Sequence, residues 1–452
     1  MRSGLFGTEP LPPAVRRAVF AGCIGFAVDF FDIYLPVLVL APVIGYFEPK
    51  GLSPAASSTI YFFTFAATLF GRPCGAVIFG HWADKIGRRR TTMISIAGFG
   101  TLTILIAFLP GYAMAGVWSL VLLIGLRFAD GVFMGGEYTS NNTLALEMVP
   151  KERRGFVGGV LQGAFPIGFA LVSLVTTVML SLTTREQYYL WGWRVPFVLG
   201  GAAAFAFLVY YRGVPESPVW QAAEKSKAPL KELLSGAYLR TLGQVFLMMS
   251  GFWLITEASV VLPGLMIQQL HVPGRMTSDG FMIGSIVLFF TFVGCGLLSQ
   301  TIGRRLAIAI AGFTVLVGGS LLYFATVAHA LAGGPAIGTT ALAVAFYVVV
   351  VSPWGIVSTY ICERFPTHIR ASGYGIGYSV AVVIPSFTGF YMLWLAHLMP
   401  YVYTPIVLLV LAGALIVVGV MLGPETREVE LHLPDLGVQP LGPVQAVAAG
   451  DD

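Results

Sequence analysis

Residues 80–90 read GHWADKIGRRR, and residues 296–305 read GLLSQTIGRR. Their shared Ile-Gly-Arg-Arg strings lie 216 residues apart, and each follows a long apolar run. Residues 147–154 and 363–370 share a second pattern, Glu-x-x-Pro-x-x-x-Arg, with the same separation of 216 residues. Basic clusters that only mark loops would explain the charge but not the shared spacing. The sequence therefore predicts two halves related by duplication.

The composition around these strings is that of a membrane protein. The chain has 452 residues, of which 56% are hydrophobic and 11% are charged, and its mean hydropathy is +0.82. A soluble domain carries about 25% charged residues, so the composition excludes a water-soluble enzyme. Runs of roughly 20 apolar residues can cross a hydrocarbon core. Twelve such runs between residues 18 and 422 predict an all-α protein with 12 transmembrane helices in two six-helix pseudo-repeats.

The basic residues predict the orientation of this chain in the membrane. With twelve spans, both termini lie on one side, and 20 of the 26 Lys and Arg residues fall on that side. Cytoplasmic loops are enriched in Lys and Arg, so we expect both termini to be cytoplasmic. The predicted parts are a cytoplasmic N-terminal segment at 1–17, a six-helix bundle at 18–212, a cytoplasmic linker at 213–239, a second bundle at 240–422 and a disordered cytoplasmic tail at 423–452.

Other classes of site and partner have little support in the sequence. The six His residues lie mostly at loops and span ends without a His-Glu-x-x-His pattern, and no nucleophile stands near a base. The four Cys residues show neither a disulfide framework nor a metal spacing. The net charge is only +4, without a basic tract. We expect no cofactor, no metal and no nucleic acid, and we expect a monomer in the lipid bilayer.

The motif Gly-x-x-x-Asp-x-x-Gly-Arg-Arg-Arg at 80–90 resembles the signature loop of the major facilitator superfamily. Six further strings narrow the resemblance; they are Asp29-Phe-Phe-Asp32, Arg72-Pro73-x-Gly75, Gly135-Gly136-Glu137-Tyr138, Trp191-Gly-Trp-Arg194-Val-Pro196, Pro215-Glu-Ser217-Pro218 and Glu363-Arg-Phe-Pro366-Thr. Together they resemble the metabolite:proton symporter branch, whose members import organic acids, dicarboxylates or zwitterions such as proline and betaine. The branch usually has Glu and Trp where this chain has Asp29 and Phe30.

The resemblance implies a proton-coupled symporter of the cell inner membrane that imports a small organic acid or similar metabolite by alternating access. Parallel six-helix repeats are the arrangement expected of such carriers. The alternatives are a proton-coupled efflux carrier and an uncoupled facilitator of a small metabolite. A membrane-embedded enzyme is the alternative from another class.

Ionisable side chains within the predicted spans are the first candidates for a functional site. They are Asp29, Asp32, Arg72, Arg127, Asp130, Glu137 and Glu257. A charge at the centre of a membrane helix costs about 2.5–3.5 kcal/mol, so each must pair, take up a proton or line water. For Arg72 and Glu137 we favour structural pairing.

The spans that carry Asp29, Asp32, Arg127 and Asp130 run in opposite directions, which predicts that these four side chains reach similar depth. An ionised aspartate would hold Arg127, and a protonated one would release Arg127 to a substrate carboxylate. Proton and substrate would then favour each other's binding. We favour Asp32 over Asp29 as the proton carrier. The resemblance agrees, since related carriers pair an aspartate of span 1 with an arginine of span 4.

The predicted substrate site contains Arg127 together with side chains from both halves. Its other candidates are Tyr34, Trp253, Glu257, Trp354 and Tyr378, and Tyr61 and Tyr360 are expected on the same cavity wall. Glu257 would bind substrate, carry a second proton, or only accept a hydrogen bond from a neighbouring helix. Because five acids face two arginines in the spans, a zwitterionic or cationic substrate is an alternative to an organic acid.

The repeated motifs predict a latch on the cytoplasmic side. Its candidate residues are Gly80, Asp84, Gly87, Arg88, Glu147, Arg154, Glu363 and Arg370. We expect Asp84 to face the start of a helix near Ser372, where N–H groups point outward, and Arg88 and Arg154 to reach Glu147. These contacts would favour the outward-open state. The alternative is that the basic cluster only sets the topology of the chain.

Overall fold

The computed structural model describes residues 10–52 and 54–431, without the side chains of residues 41, 54–56, 58, 59, 61 and 62. This part of the chain contains twelve helices long and apolar enough to cross a membrane. They are α1 Pro13–Leu40, α2 Pro54–Ile86, α3 Arg88–Ala107, α4 Val117–Glu147, α5 Lys151–Leu182, α6 Arg194–Tyr211, α7 Gly236–Gln268, α8 Gly274–Ile302, α9 Arg304–Leu331, α10 Ala336–Arg364, α11 Thr367–Leu395 and α12 Tyr401–Met421. The prediction of a twelve-helix, all-α membrane protein is confirmed.

The same neighbours recur in both halves, as duplication requires. In the N-terminal half α1 packs on α5, α2 on α4 and α3 on α6. In the C-terminal half α7 packs on α11, α8 on α10 and α9 on α12. The two halves meet where α5 packs on α8 and where α11 packs on α2, which are equivalent contacts under the repeat.

The two signature strings are continuous helix rather than the loops that we expected. Helix α2 runs to Ile86 and α3 begins at Arg88, so Gly87 alone joins them, with φ +109°. Gly303 joins α8 to α9 in the same way, with φ +98°. A residue with a side chain is strained at such φ values, so only glycine allows so abrupt a turn. Below, the "terminal side" is the side of the membrane on which these turns, the start of α1 and the end of α12 lie.

Small residues bring α2 and α4 into backbone contact. A Cβ atom built on Gly75 would overlap the carbonyl oxygen of Val132, and one built on Gly131 would overlap the carbonyl oxygen of Thr68. Small residues are the usual means of close helix approach in membranes, where lipid offers no hydrophobic driving force. The close contact fixes the height at which side chains of α2 meet side chains of α4.

Glycines also form the contact between the two halves. A Cβ atom on Gly159 of α5 would crowd the backbone of Phe292 in α8, and one on Gly296 of α8 would overlap the backbone of Gly155. We expected the Gly159-x-x-x-Gly163 string to act in packing, and the structure places Gly159 at this contact between halves.

The segments that flank the two bundles are more structured than we expected. The linker at 213–239 contains short helices at Pro218–Ala222 and Pro229–Leu233. The tail that we expected to be disordered from residue 423 packs across the terminal side as far as Leu431, whose side chain is buried. Arg154 donates a hydrogen bond of 2.6 Å to the carbonyl oxygen of Val429, which anchors this segment. The remaining parts of the predicted tail and N-terminal segment, 432–452 and 1–9, lie outside the described residues.

We predict that Gly75→Val destabilises the folded protein by about 1–3 kcal/mol or more, because the new side chain must push α2 away from α4. Gly125→Val is the matched control, since a Cβ atom on Gly125 of α4 meets nothing within 4 Å. The measurement is the thermal unfolding midpoint of both variants in detergent. Equal midpoints would contradict the close-packing argument.

Candidate functional site

A buried triad of charges lies within the N-terminal half. The Nη1 atom of Arg127 in α4 lies 3.0 Å from Oδ2 of Asp130, one helical turn further along, and 3.5 Å from Oδ1 of Asp32 in α1. Arg127 also donates from Nε to the Thr68 hydroxyl at 3.0 Å and from Nη2 to the Asp32 carbonyl oxygen at 3.2 Å. The three charged side chains are at most 2% exposed. The structure therefore brings Asp32, Arg127 and Asp130 together.

The triad holds more negative than positive charge if both aspartates are ionised. The carboxyl groups of Asp32 and Asp130 lie within hydrogen-bonding reach of each other. Two carboxylates cannot bond to one another, since neither has a hydrogen to donate, and a proton on either one turns this contact into a hydrogen bond. Thr103 of α3 donates to the other side of the group, at 3.1 Å from Asp32 Oδ1. Chemically, the triad is a site for one proton.

Asp29 pairs with a different arginine from the one that we expected. Its Oδ2 atom lies 3.2 Å from Nη2 of Arg72 in α2, and both side chains are buried. Arg72 follows Thr68, the partner of Arg127, by four residues, so the two groups lie about one helical turn apart along the contact between α1 and α2. The helical register thus separates Asp29 from Arg127, although Asp29 lies near enough to Asp32 to interact with it electrostatically.

Glu137 lies deeper in the same half and has no cation within ion-pair distance among the described residues. Its Oε1 atom accepts a hydrogen bond of 2.8 Å from the Asn141 amide, which also donates to the carbonyl oxygen of Ala21. We expected Arg72 and Glu137 to pair structurally with neighbours. The structure gives Arg72 to Asp29 and Glu137 to an amide.

The aromatic candidates from the C-terminal half form one cluster. The ring centroids of Trp253, Trp354 and Tyr378 are 5.1, 5.3 and 5.6 Å apart in pairs, at steep angles. The indole N–H of Trp253 donates to the Tyr378 carbonyl oxygen at 2.8 Å, whereas the indole nitrogen of Trp354 has no hydrogen-bond partner among the described residues. Tyr378 also contacts Tyr138 of α4, with centroids 4.5 Å apart. The cluster therefore touches the N-terminal half.

Two further candidates are partly exposed and face each other across the halves. Tyr34 in α1 and Glu257 in α7 are both partly exposed, and Glu257 lies near enough to act electrostatically on the Tyr34 hydroxyl. Arg127 is fully buried and its partners all belong to the N-terminal half, so it is not on the wall between the halves as we expected. Tyr360 is also elsewhere, since Gln244 donates to its hydroxyl at 3.3 Å. The side chain of Tyr61 lies outside the described part.

On the terminal side, Asp84 at the end of α2 binds the start of a helical segment in α11. Its carboxylate accepts hydrogen bonds from the backbone N–H groups of Ala371 and Ser372 at 3.1 and 2.9 Å and from the Ser372 hydroxyl at 2.6 Å. Gly80 allows this approach, because a Cβ atom there would crowd the Ser372 backbone. The predicted contact between Asp84 and the helix start near Ser372 is thus present, while its role as a latch stays a prediction.

The repeated Glu-x-x-Pro-x-x-x-Arg motifs exchange partners between the halves. Glu147 lies 2.7 Å from Arg370 of the other half and 3.2 Å from Arg88. Glu363 lies 3.6 Å from Arg154 of the other half and 3.4 Å from Arg304. We expected Arg154 to reach Glu147, and this pairing is wrong. Arg154 begins α5, which packs on α8 and α10, so its side chain points to Glu363 at the end of α10.

Two glutamates that the sequence analysis missed cap the helices that follow the signature turns. Glu216 accepts hydrogen bonds of 3.1 Å from the backbone N–H groups of Arg88 and Arg89, and Glu425 accepts bonds of 2.8 and 3.0 Å from those of Arg304 and Arg305. Burial raises the pKa of Glu216 although these bonds oppose the rise. Burial also acts on Glu425, but the backbone bonds outweigh it and its pKa is lowered. The similar strings Pro-Glu-Ser at 215–217 and Pro-Glu-Thr at 424–426 could have revealed the pair.

Comparisons with known proteins identify relatives along most of the chain. The family model described as Major Facilitator Superfamily matches residues 19–389. The inner membrane metabolite transport protein YhjE of Escherichia coli K12 is 30% identical over 384 residues, 82% of this chain and 85% of that protein. The shikimate transporter of the same strain is 29% identical, over 84% and 86%. The proline/betaine transporter of Salmonella typhimurium LT2 is 26% identical, over 92% and 84%.

Solved structures share the fold. The proton:xylose symporter XylE, bound to 6-bromo-6-deoxy-D-glucose, has a TM-score of 0.70 and 20% sequence identity, covering 92% of this chain and 98% of its own. The human organic anion transporter MFSD10 has a TM-score of 0.65 and 16% identity, covering 91% and 99%. At these identities the likeness extends to the fold alone.

Proposed function

The chain belongs to the major facilitator superfamily and is a multi-pass inner-membrane secondary transporter rather than an enzyme, and we propose that it is a proton-coupled symporter. In this proposal it imports a small organic acid or a similar metabolite by alternating access. Protons and a small carboxylate-bearing solute are its two substrates. The proposal rests mainly on the triad of Asp32, Arg127 and Asp130.

The charge balance of the N-terminal half supports proton binding. The buried acids Asp29, Asp32, Asp130 and Glu137 face only two buried arginines within the spans, Arg72 and Arg127. An ionised carboxylate without a cation is costly inside a membrane protein, so excess carboxyl groups hold protons. The triad is the clearest of these sites, because its two carboxyl groups share one guanidinium.

Coupling follows from the short separation between the triad and the Asp29–Arg72 pair. A proton on the triad removes a negative charge near Asp29 and Arg72, which makes the region more favourable for an anionic group. A substrate carboxylate bound there would in turn favour the proton, as reciprocal linkage requires. This route differs from our sequence hypothesis, in which Arg127 itself takes the substrate, because Arg127 is enclosed within the N-terminal half.

The terminal side is closed by contacts between the two halves. Asp84 binds Ser372, Glu147 binds Arg370 and Arg154 binds Glu363, each across the interface. The distribution of Lys and Arg favours a cytoplasmic position for this side. We infer that the structure is the outward-facing state and that substrate from outside enters between the halves.

The first prediction concerns coupling. Asp32→Asn leaves Asp130 and Arg127 as a neutral pair that needs no proton, so substrate exchange should survive while proton-driven accumulation is lost. The measurement uses proteoliposomes with the membrane potential clamped at zero and an imposed pH gradient, screened with mono- and dicarboxylates. The internal-to-external concentration ratio should fall to about 1, the value for exchange without proton coupling.

Thr103→Val is the matched control for Asp32→Asn. It removes the 3.1 Å hydrogen bond to Asp32 but keeps both carboxyl groups, so accumulation should persist. If Asp32→Asn still accumulated substrate under the pH gradient, the triad would not be the coupling site. If the wild-type protein accumulated solute equally well with no gradient, the symport proposal would fail.

The second prediction concerns the terminal gate. Glu147→Gln removes the carboxylate between Arg88 and Arg370, and losing one partner of a buried pair costs about 3–5 kcal/mol. We expect the equilibrium to shift at least about tenfold toward opening on the terminal side, which needs about 1.4 kcal/mol. Spin labels at Lys85→Cys and Thr301→Cys, in a background without the four native cysteines, should show a longer distance population.

Glu152→Gln is the control for the gate, because Glu152 is an exposed acid in the first turn of α5. It should leave the distance distribution unchanged. An unchanged distribution in Glu147→Gln as well would mean that the basic clusters only set topology.

A further inference from the structure

Two opposite charges approach the space between the halves from opposite sides. Arg72 comes from the N-terminal half, where Nη2 makes a single hydrogen bond of 3.2 Å to Asp29. Glu257 comes from α7 of the C-terminal half. Both act electrostatically on the hydroxyl of the partly exposed Tyr34. Tyr34 therefore marks a region that both charges reach.

Arg72 lies at the boundary of its half rather than deep within it. Its guanidinium lies 5.2 Å from the ring centroid of Tyr138, a cation–π contact. Tyr138 in turn contacts Tyr378 of the C-terminal half, with centroids 4.5 Å apart. Only one oxygen of Asp29 accepts a hydrogen bond from Arg72, and the other has no hydrogen-bond partner among the described residues. This incomplete pairing leaves Arg72 able to bind a second carboxylate.

Glu257 has the opposite problem, because it has no cation at all. It lies in the middle of a spanning helix, is partly exposed, and forms no ion pair within 4.0 Å among the described residues. A carboxylate kept at such a depth costs about 2.5–3.5 kcal/mol without a partner. A bound cation would offset that cost. No side chain of the described chain supplies one, so the partner that the geometry leaves room for is a ligand.

The walls near Tyr34 suit an organic cation. Tyr34 lies against Phe169 at 4.9 Å and Phe30 lies against Phe165 at 4.7 Å, measured between ring centroids, and Tyr347 approaches from α10. Aromatic faces attract ammonium groups, most strongly where water is excluded. A dicarboxylate would instead place a negative group near Glu257, and a simple monocarboxylate would leave Glu257 without a partner.

We propose that the substrate is a zwitterion, whose carboxylate binds Arg72 and whose ammonium or quaternary ammonium group binds Glu257 within the aromatic walls. This inference rests on the proposed transport function and narrows its substrate class. A zwitterion would join the two halves by charge, the N-terminal half through Arg72 and the C-terminal half through Glu257. Both halves would then contribute to selectivity.

The test compares zwitterions with isosteres that lack one charge. Proline is paired with cyclopentanecarboxylate, and trimethylglycine is paired with 3,3-dimethylbutanoate, in which carbon replaces the quaternary nitrogen. Choline serves as the cation without a carboxylate. Counterflow exchange in proteoliposomes measures affinity without a pH gradient. We expect at least one zwitterion to exchange and to bind more tightly than its isostere and than choline.

The variants assign the two charges. Glu257→Gln should weaken the zwitterion at least about 30-fold, as for a lost buried charge pair, and should not weaken the anionic isostere. Glu257→Asp should restore part of the selectivity. Arg72→Gln should weaken zwitterion and isostere together. Asp279→Asn, which removes an exposed acid from the first turns of α8, is the matched control and should change neither affinity.

Three results would overturn the inference. They are exchange of organic acids with none of the zwitterions, equal losses for zwitterion and isostere in Glu257→Gln, or a changed number of protons per substrate in that variant with unchanged selectivity. Failure of the proposed function gives a different result, because zwitterion exchange would persist in counterflow while uptake driven by the pH gradient would be absent. The two failures are therefore distinguishable.

Discussion

The cost of an unpaired charge in a low-dielectric interior governs this structure. Every acid buried in the spans must have a cation, a proton or a ligand, and the chain offers too few cations for all of them. In the N-terminal half the shortage is met by the triad, in which one guanidinium serves two carboxyl groups. In the C-terminal half it appears as one acid, Glu257, without a cationic side chain within ion-pair distance in the described structure. The proton site and the substrate site are two answers to the same constraint.

The duplication is retained in the gate and lost in the charges. Because both repeated motifs keep the separation of 216 residues, positions between them can be matched directly. Arg127 matches Ala343 and Asp130 matches Phe346, and both apolar residues are fully buried. The position of the triad in one half is thus ordinary apolar core in the other. A division of labour follows, in which the N-terminal half holds the proton and the C-terminal half contributes aromatic rings and one acid.

The sequence was sufficient for features that depend on composition and spacing, and insufficient for those that depend on register. Twelve spans and the repeat follow from apolar runs and from one shared offset. The partner of Asp29 does not, because the choice between Arg72 and Arg127 depends on how far α2 is shifted along α1, and glycine contacts such as Gly131 against Thr68 fix that shift. The partner of Arg154 was missed for a related reason, since two equivalent motifs can pair within a half or exchange between halves.

The exchange of partners on the terminal side also explains how the gate can open without stranding a charge. Each central carboxylate has one cation from its own half and one from the other, Arg88 and Arg370 for Glu147 and Arg304 and Arg154 for Glu363. Separating the halves breaks only the pairs between them, and each glutamate keeps the arginine of its own half. The free energy of opening is then the loss of one ion pair per site rather than the burial of a bare carboxylate, which is the more costly event. Such a gate can be held closed firmly and still be opened by the binding energy of a proton and a small solute.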